Sequence, residues 1–160
     1  EARSVNSNLI FSAATMPEGA YENAFSDLHY GQNYDDATDL YDYICPMAYS
    51  TNYGKTDDWV TTIAKNSISK GNKVVMGIQV FDSVSSTRIM AEMENIRDLM
   101  KDPTYGSEIL GTVFFRSGSE EPSGKTLRFI LSVLFRSIQT DLFRICYQTD
   151  ICSMHRLRKP

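Results

Sequence analysis

Four apolar segments recur along this chain, and their spacing constrains the fold more than any other feature. They begin at residues 8, 43, 73 and 109, so that successive starts lie 35, 30 and 36 residues apart. A strand followed by a crossover helix takes about 30 residues or more. The segments are nearly continuous in apolar character, which is typical of parallel strands buried on both faces. We therefore predict strands at 8–14, 43–49, 73–81 and 109–115, with a strand end or bulge at Pro46.

Helical patterns occupy the intervals between these segments. Asp57 or Asp58 can cap one helix that ends at Gly71, and Ser86 can cap another that ends before Pro103. A shorter helix is predicted within 35–42. The apolar positions of the two longer helices are Trp59, Ile63, Ala64 and Ile68, then Ile89, Met93, Ile96 and Met100. The resulting β-α-β-α-β-α-β order fits either a doubly wound open sheet or a (β/α)8 barrel.

The number of units and the loop chemistry bear on that choice. A complete barrel needs about 250 residues, so four units correspond to roughly half of one. No glycine-rich phosphate loop follows any of the segments, which weakens the dinucleotide-binding interpretation of a doubly wound sheet. The local pattern does not decide further between the two architectures.

Charge and cysteine content exclude several classes of function. The net charge is -4 and the isoelectric point is about 5.1, so a nucleic-acid-binding surface is not expected. No apolar run approaches the roughly 20 residues of a membrane span. The three cysteines form neither a closed disulfide framework nor a zinc-ligand spacing, and we expect no metal or cofactor.

The charge changes sign along the chain. Residues 1–118 hold 9 Lys/Arg and 16 Asp/Glu, a net of -7, whereas residues 119–160 hold 7 and 4, a net of +3. A segment of turn-forming residues at 117–124 separates the two parts. We predict an α/β domain over 1–118 and a linker with an amphipathic apolar and basic helix over 119–160. That tail is either the terminal helix of the same domain or a segment of foreign origin.

Two adjacent motifs resemble a known class of protein. Gly31 and Gln32 form a "GQ" turn before a helix, and the following strand reads DYICPMAY over 42–49. This succession of a turn, a helix and a strand resembles barrel-type glycoside hydrolases. Among these, family-18 chitinases also carry a Met-x-Tyr ending on the sixth strand. Residues 77–81 and 111–116 are similar to the seventh and eighth strands, so the resemblance covers roughly 8–118.

The resemblance implies the carboxyl-terminal half of a TIM (β/α)8 barrel, beginning at about the fifth strand. In that register, no residue corresponds to the principal catalytic acid at the end of the fourth strand. Glycoside hydrolysis ordinarily needs two carboxyl groups, so we expect a glycan-acting fragment that is inactive alone. The alternative is a non-catalytic carbohydrate-binding or structural barrel fragment. The resemblance also implies a secreted or cell-surface location, and open sheet edges would favour self-association.

Candidate site residues follow the ends of the predicted strands, where barrel sites are built. We predict glycan contacts for Tyr49, Tyr53, Gln79 and Arg116, and Asp82 is a weak catalytic candidate that requires its loop to fold back. Three of these residues also have a purely structural interpretation. Tyr53 could anchor its loop, Gln79 could bond to neighbouring backbone, and Arg116 could form an internal ion pair. For Trp59, packing is favoured over stacking on a sugar.

Overall fold

The chain folds as an α/β structure around a four-stranded sheet in which every strand is parallel to its neighbours. The computed structural model describes residues 2–115. The four strands lie side by side in the order in which they occur along the chain. The predicted parallel sheet is thereby confirmed. The elements are α1 (Ala2–Val5), β1 (Ser12–Thr15), a 3-10 helix (Pro17–Ala20), α2 (Asn23–Tyr30), α3 (Ala37–Leu40), β2 (Tyr43–Pro46), α4 (Trp59–Ser69), β3 (Val74–Gln79), α5 (Ser86–Leu99), a 3-10 helix (Gly106–Glu108) and β4 (Ile109–Phe115).

The core lies between one face of the sheet and the helices that cross it. Ile44 of β2 pairs in register with Val74 of β3, and both face a cluster that includes Ile63 of α4 and Ile96 of α5. A second cluster extends along α5 and consists of Ile78, Ile89, Met93 and Phe114. Right-handed crossovers between successive neighbouring strands bring their helices to the same face. All six residues of β3 are buried, so this strand is covered on both faces.

The first strand is displaced from its predicted position and is less buried than expected. It begins at Ser12 rather than at residue 8, and the preceding Ile10 is 56% exposed. Within the described residues β1 pairs only with β2, so it lies at an edge of the sheet. An apolar run at an edge has no strand on its outer side. The prediction of a buried strand over 8–14 is therefore wrong in both position and burial.

The second strand ends where the sequence indicated. β2 stops at Pro46, which has no N–H to donate to a neighbouring strand. Beyond it, Met47 keeps a single bridge to Gly77. The polypeptide then leaves the sheet as a long loop.

The helices follow the predicted pattern with local corrections. α4 follows Asp58, and the chain turns at Gly71, whose φ of 86° suits glycine. α5 is capped by Ser85 rather than Ser86, because the Ser85 hydroxyl accepts a hydrogen bond from the Arg88 amide at 3.2 Å. Met100 is 41% exposed, and Leu99 takes the buried position instead. α2 was not predicted.

The predicted tail over 119–160 and Arg116 lie outside the described residues. No helix within residues 2–115 is long and apolar enough to cross a membrane.

Candidate functional site

Three segments leave the carboxyl end of the sheet and come together there. They are the turn after β1, the loop at 47–58 between β2 and α4, and the segment at 80–85 between β3 and α5. We call the second of these the β2–α4 loop. Parallel α/β sheets place their sites at this end, because strand ends from several units meet there while the loops remain free to vary.

Gln79, at the end of β3, fastens the β2–α4 loop to the sheet. Its side chain is 1% exposed, and its Nε2 donates a hydrogen bond to Asn52 Oδ1 at 2.8 Å. The backbone N–H of Asn52 donates a hydrogen bond to Gln79 Oε1 at 3.3 Å, so each residue both donates to and accepts from the other. This pairing explains how an amide is accommodated in an otherwise apolar strand. A glycan contact by Gln79 stays a prediction, and would require Asn52 to move.

Tyr49 lies on the same end of the sheet as Gln79. Its ring meets Phe81 edge-on, with the ring centroids 5.3 Å apart and the planes at 90°. Burial raises the pKa of the Tyr49 hydroxyl, so this group stays neutral and retains its proton. Tyr49 and Gln79, both predicted from the sequence as site residues, therefore lie at the same end of the sheet. Arg116, which is also predicted to contact the glycan, lies outside the described residues.

Tyr53, at the tip of the β2–α4 loop, joins a carboxylate to a group of aromatic rings. Its hydroxyl donates a hydrogen bond to Glu18 Oε1 at 2.9 Å. The Tyr53 ring lies against Trp59, with centroids 5.1 Å apart, and Trp59 lies 6.5 Å from Tyr21. We call Tyr21, Tyr53 and Trp59 the aromatic cluster. Burial, followed by the contact with Glu18, raises the pKa of Tyr53.

Glu18 is the functional candidate that sequence reasoning missed. It lies in the 3-10 helix directly after β1, and 35 residues separate it from Tyr53. Its Oε1 accepts the Tyr53 hydroxyl, while Oε2 is shielded from solvent and has no hydrogen-bond partner in the described part of the chain. The available signal was its position: the MPEG turn directly follows the first apolar segment, where a site residue is expected.

Asp82 lies just beyond β3 in an unusual turn. Both Asp82 and Ser83 have positive φ, at 54° and 59°, and both are exposed. Aspartate enters this left-handed region more readily than most residues because its short side chain bonds locally. The chain therefore turns sharply at this point. A catalytic role for Asp82 stays a prediction.

The remaining reactive side chains do not form a second centre. Within residues 2–115, no group of three or more His, Cys, Asp or Glu side chains is placed to hold a metal ion. His29 is exposed on α2 and stacks on Phe25 with centroids 3.9 Å apart. Cys45 is half-buried rather than fully buried. His155 lies outside the described residues.

No family model matches this chain, and no curated protein or solved structure compared with it is similar. The site must therefore be judged by its own chemistry. Aromatic rings stack on apolar faces of a ligand, and the carboxylate and amides near them exchange hydrogen bonds with hydroxyl groups. The arrangement suits recognition of a polyhydroxylated ligand.

Proposed function

We propose that this chain is the carboxyl-terminal part of a glycoside hydrolase-like (β/α)8 barrel, and that it binds glycans at the carboxyl end of its sheet without hydrolysing them. Two features support the barrel. The strand order follows the chain order without reversal over the described residues, whereas a doubly wound sheet reverses at its switch point. The motifs over 30–49 resemble the turn, helix and sixth strand of such barrels.

The observation that carries the proposal is the aromatic cluster beside Glu18. Sugars present flat C–H faces that stack on aromatic rings, and hydroxyl groups that donate to carboxylates. Tyr21 is exposed, and Tyr53 and Trp59 are each half-buried, so the rings retain surface for a ligand. They meet at the end of the sheet where barrel sites form.

The expectation of no hydrolysis rests on the number and position of carboxyl groups. A glycosidase uses one carboxyl group to protonate the leaving oxygen and another as base or nucleophile. In the proposed register, the principal acid belongs to a fourth strand that has no counterpart in the sequence. Glu18 already accepts a hydrogen bond from Tyr53, and Asp82 is the weak candidate that remains.

One observation favours the alternative, a structural barrel fragment without a ligand. The Gln79 side chain donates to Asn52 Oδ1 and accepts from the Asn52 backbone N–H, and the Tyr53 hydroxyl donates to Glu18. Closed pairs of this kind are also what a purely structural loop needs. The two proposals differ in whether a polysaccharide binds at the aromatic cluster.

The sheet edges provide a further part of the proposal. β1 and β4 each pair on one side only within the described residues. Unpaired edges offer backbone donors and acceptors to another chain, so we propose concentration-dependent self-association. Sedimentation velocity over a wide concentration range tests this, and a monomer throughout would contradict it.

Affinity electrophoresis tests glycan binding directly. The full chain is run through native gels containing glycol chitin, hydroxyethyl cellulose, xylan or starch. We expect retardation by at least one polysaccharide, and loss of most of it in Tyr53→Ala. Tyr105→Ala is the control, because it removes another half-buried tyrosine from the loop before β4. No retardation, or equal loss in both variants, would contradict the proposal.

Reducing-end release on the same panel tests the expected lack of hydrolysis. We expect no turnover by the full chain or by Asp82→Asn. Sustained turnover that is abolished by Asp82→Asn would show that the chain carries its own acid chemistry.

A further inference from the structure

A partly buried ion pair on α5, formed by Arg88 and Glu92, reaches across to the β2–α4 loop. Arg88 Nη2 donates hydrogen bonds to Ser50 Oγ at 2.8 Å and to the Lys55 carbonyl at 2.5 Å. Its Nε donates to Glu92 Oε1 at 3.1 Å. Ser50 also contacts Glu92 Oε1 directly through its hydroxyl. One guanidinium therefore joins a helix to two separate points of a loop.

We propose that Arg88 is a positioning residue, which holds the β2–α4 loop so that Tyr53 stays against Trp59 for glycan binding. The inference rests on the proposed function for its ligand, though not for its geometry. Ser50 and Lys55 are the two ends of a closed turn, because the Lys55 amide donates to the Ser50 carbonyl at 2.8 Å. Arg88 contacts both ends of that turn.

Glu92 fixes the direction of the guanidinium. It is 1% exposed, and a carboxylate buried to that extent is tolerated only when it is paired. Since Nε is engaged by Glu92, the rigid plane of the guanidinium directs Nη2 to the loop. A lysine has a single ammonium on a flexible stem and cannot span Glu92, Ser50 and the Lys55 carbonyl together.

The tip of the turn has two further contacts, each from a different element. Asn52 is bonded to Gln79 of β3, and Tyr53 is bonded to Glu18 after β1. These contacts hold the tip, whereas Arg88 holds the base. Without Arg88 the base of the turn is released, and the Tyr53 ring is no longer fixed against Trp59.

The helix itself does not depend on Arg88 for its attachment to the sheet. α5 is anchored by Ile89 and Met93, which pack with Ile78 and Phe114. The Arg88 side chain is 27% exposed. A loss confined to the β2–α4 loop is therefore separable from a loss of fold.

The chain contains one tryptophan, so fluorescence reports on the Tyr53–Trp59 contact without any ligand. We compare the full chain with Arg88→Lys, measuring acrylamide quenching of Trp59, thermal unfolding and glycan retardation. The matched control is Arg97→Lys on the same helix, where the guanidinium lies 4.0 Å from Glu94. We expect Arg88→Lys to raise the quenching constant about twofold and to weaken retardation several-fold, with far-UV circular dichroism unchanged. Arg97→Lys should change neither.

The outcomes separate this inference from the proposed function. Unchanged quenching in a folded Arg88→Lys chain would overturn the positioning role, whatever the glycan result. Raised quenching with no polysaccharide bound by the wild-type chain would support the positioning of the loop and overturn the proposed function. Should Arg88→Lys fail to fold, Ser50→Ala removes the hydroxyl between Arg88 and Glu92, and unchanged quenching there would likewise overturn the role.

Discussion

The amino end and the carboxyl end of the sheet differ in how their polar side chains are satisfied. At the amino end, the connections into β2 and β3 are short, and two side chains bond to the backbone of neighbouring segments. Asn72 Nδ2 donates to the Tyr34 carbonyl at 2.8 Å, and Asp42 exchanges hydrogen bonds with the backbone of Phe11. At the carboxyl end, side chains bond to one another across three segments, as Gln79 does with Asn52.

Four buried polar atoms have no hydrogen-bond partner within the described residues, namely Glu18 Oε2, Ser26 Oγ, Glu92 Oε2 and Arg97 Nε, and two of the four are carboxylate oxygens. Both carboxylate oxygens belong to the carboxyl end. A buried acceptor without a donor costs free energy, and such costs are typical of functional sites, where local consistency is given up. Under the proposed function, the carboxyl end would serve the ligand, while the amino end maintains the fold.

The largest effect on stability is expected from Asn72→Ala at the amino end. Asn72 is 3% exposed, and its removal leaves the buried Tyr34 carbonyl without its donor. We expect a loss of about 1–3 kcal/mol in the free energy of unfolding, measured by urea titration. Glycan retardation by the folded chain should be unchanged. Asn66→Ala on α4, where the side chain is half-buried, is the control and should stay within about 0.5 kcal/mol of wild type. A selective loss of glycan binding in Asn72→Ala would break the comparison.

A smaller effect, of opposite sign, is expected from Glu92→Gln at the carboxyl end. Burial raises the pKa of Glu92, with a contribution from Asp57, while Ser50 and Arg88 oppose the rise. The folded chain therefore binds this proton more tightly than the unfolded chain. The resulting stabilisation is present below the ordinary value of 4.5 and is lost as the pH rises through the raised pKa.

Urea titrations at several pH values test this sign. We expect the free energy of unfolding of the wild-type chain to fall as the pH rises from 4.5 through the raised pKa of Glu92. The Glu92→Gln variant should lack this pH-dependent fall. Glu94→Gln changes an exposed carboxylate on the same helix and is the control. A wild-type stability that rises across that pH range, with the rise abolished in Glu92→Gln, would contradict the assigned direction.

The smallest effect is expected from Tyr53→Phe, which removes only the hydroxyl bonded to Glu18. We expect a loss of about 0.5–1.5 kcal/mol in stability, together with weaker glycan retardation. Tyr105→Phe removes a hydroxyl from the loop before β4 and should leave retardation unchanged. Equal weakening in both variants would remove the distinction between the two ends.

The sequence was sufficient for the parts of the fold that are set by burial. Nearly continuous apolar runs marked β3 and β4, and the 3- and 4-residue spacings marked α4 and α5. The prediction of strands and helices failed where apolar residues are exposed. Ile10 looked like a core residue but lies before an edge strand, and α2 escaped prediction because its exposed Phe25 and Leu28 form no buried stripe. The one buried residue of α2 is Ser26.

The site was less predictable, because its contacts join residues that are distant in sequence. Tyr49, Tyr53 and Gln79 could be placed at one end of the sheet because each lies near or just beyond the carboxyl end of a predicted strand. Nothing in the local pattern pairs Glu18 with Tyr53, or Ser50 with Arg88, across separations of 35 and 38 residues. Such contacts follow from the crossing of the loops, which only the assembled sheet defines.

Mapping of a bound oligosaccharide by NMR tests the central claim most directly. A soluble oligosaccharide of whichever polysaccharide retards the chain is titrated into the ¹⁵N-labelled full chain. The account predicts shift changes concentrated in residues 18–21, in 49–54 and in the Trp59 indole, with Lys70–Val74 at the amino end unaffected. Changes concentrated at the amino end, or saturable binding that leaves the Trp59 indole and the 49–54 amides unmoved, would contradict it.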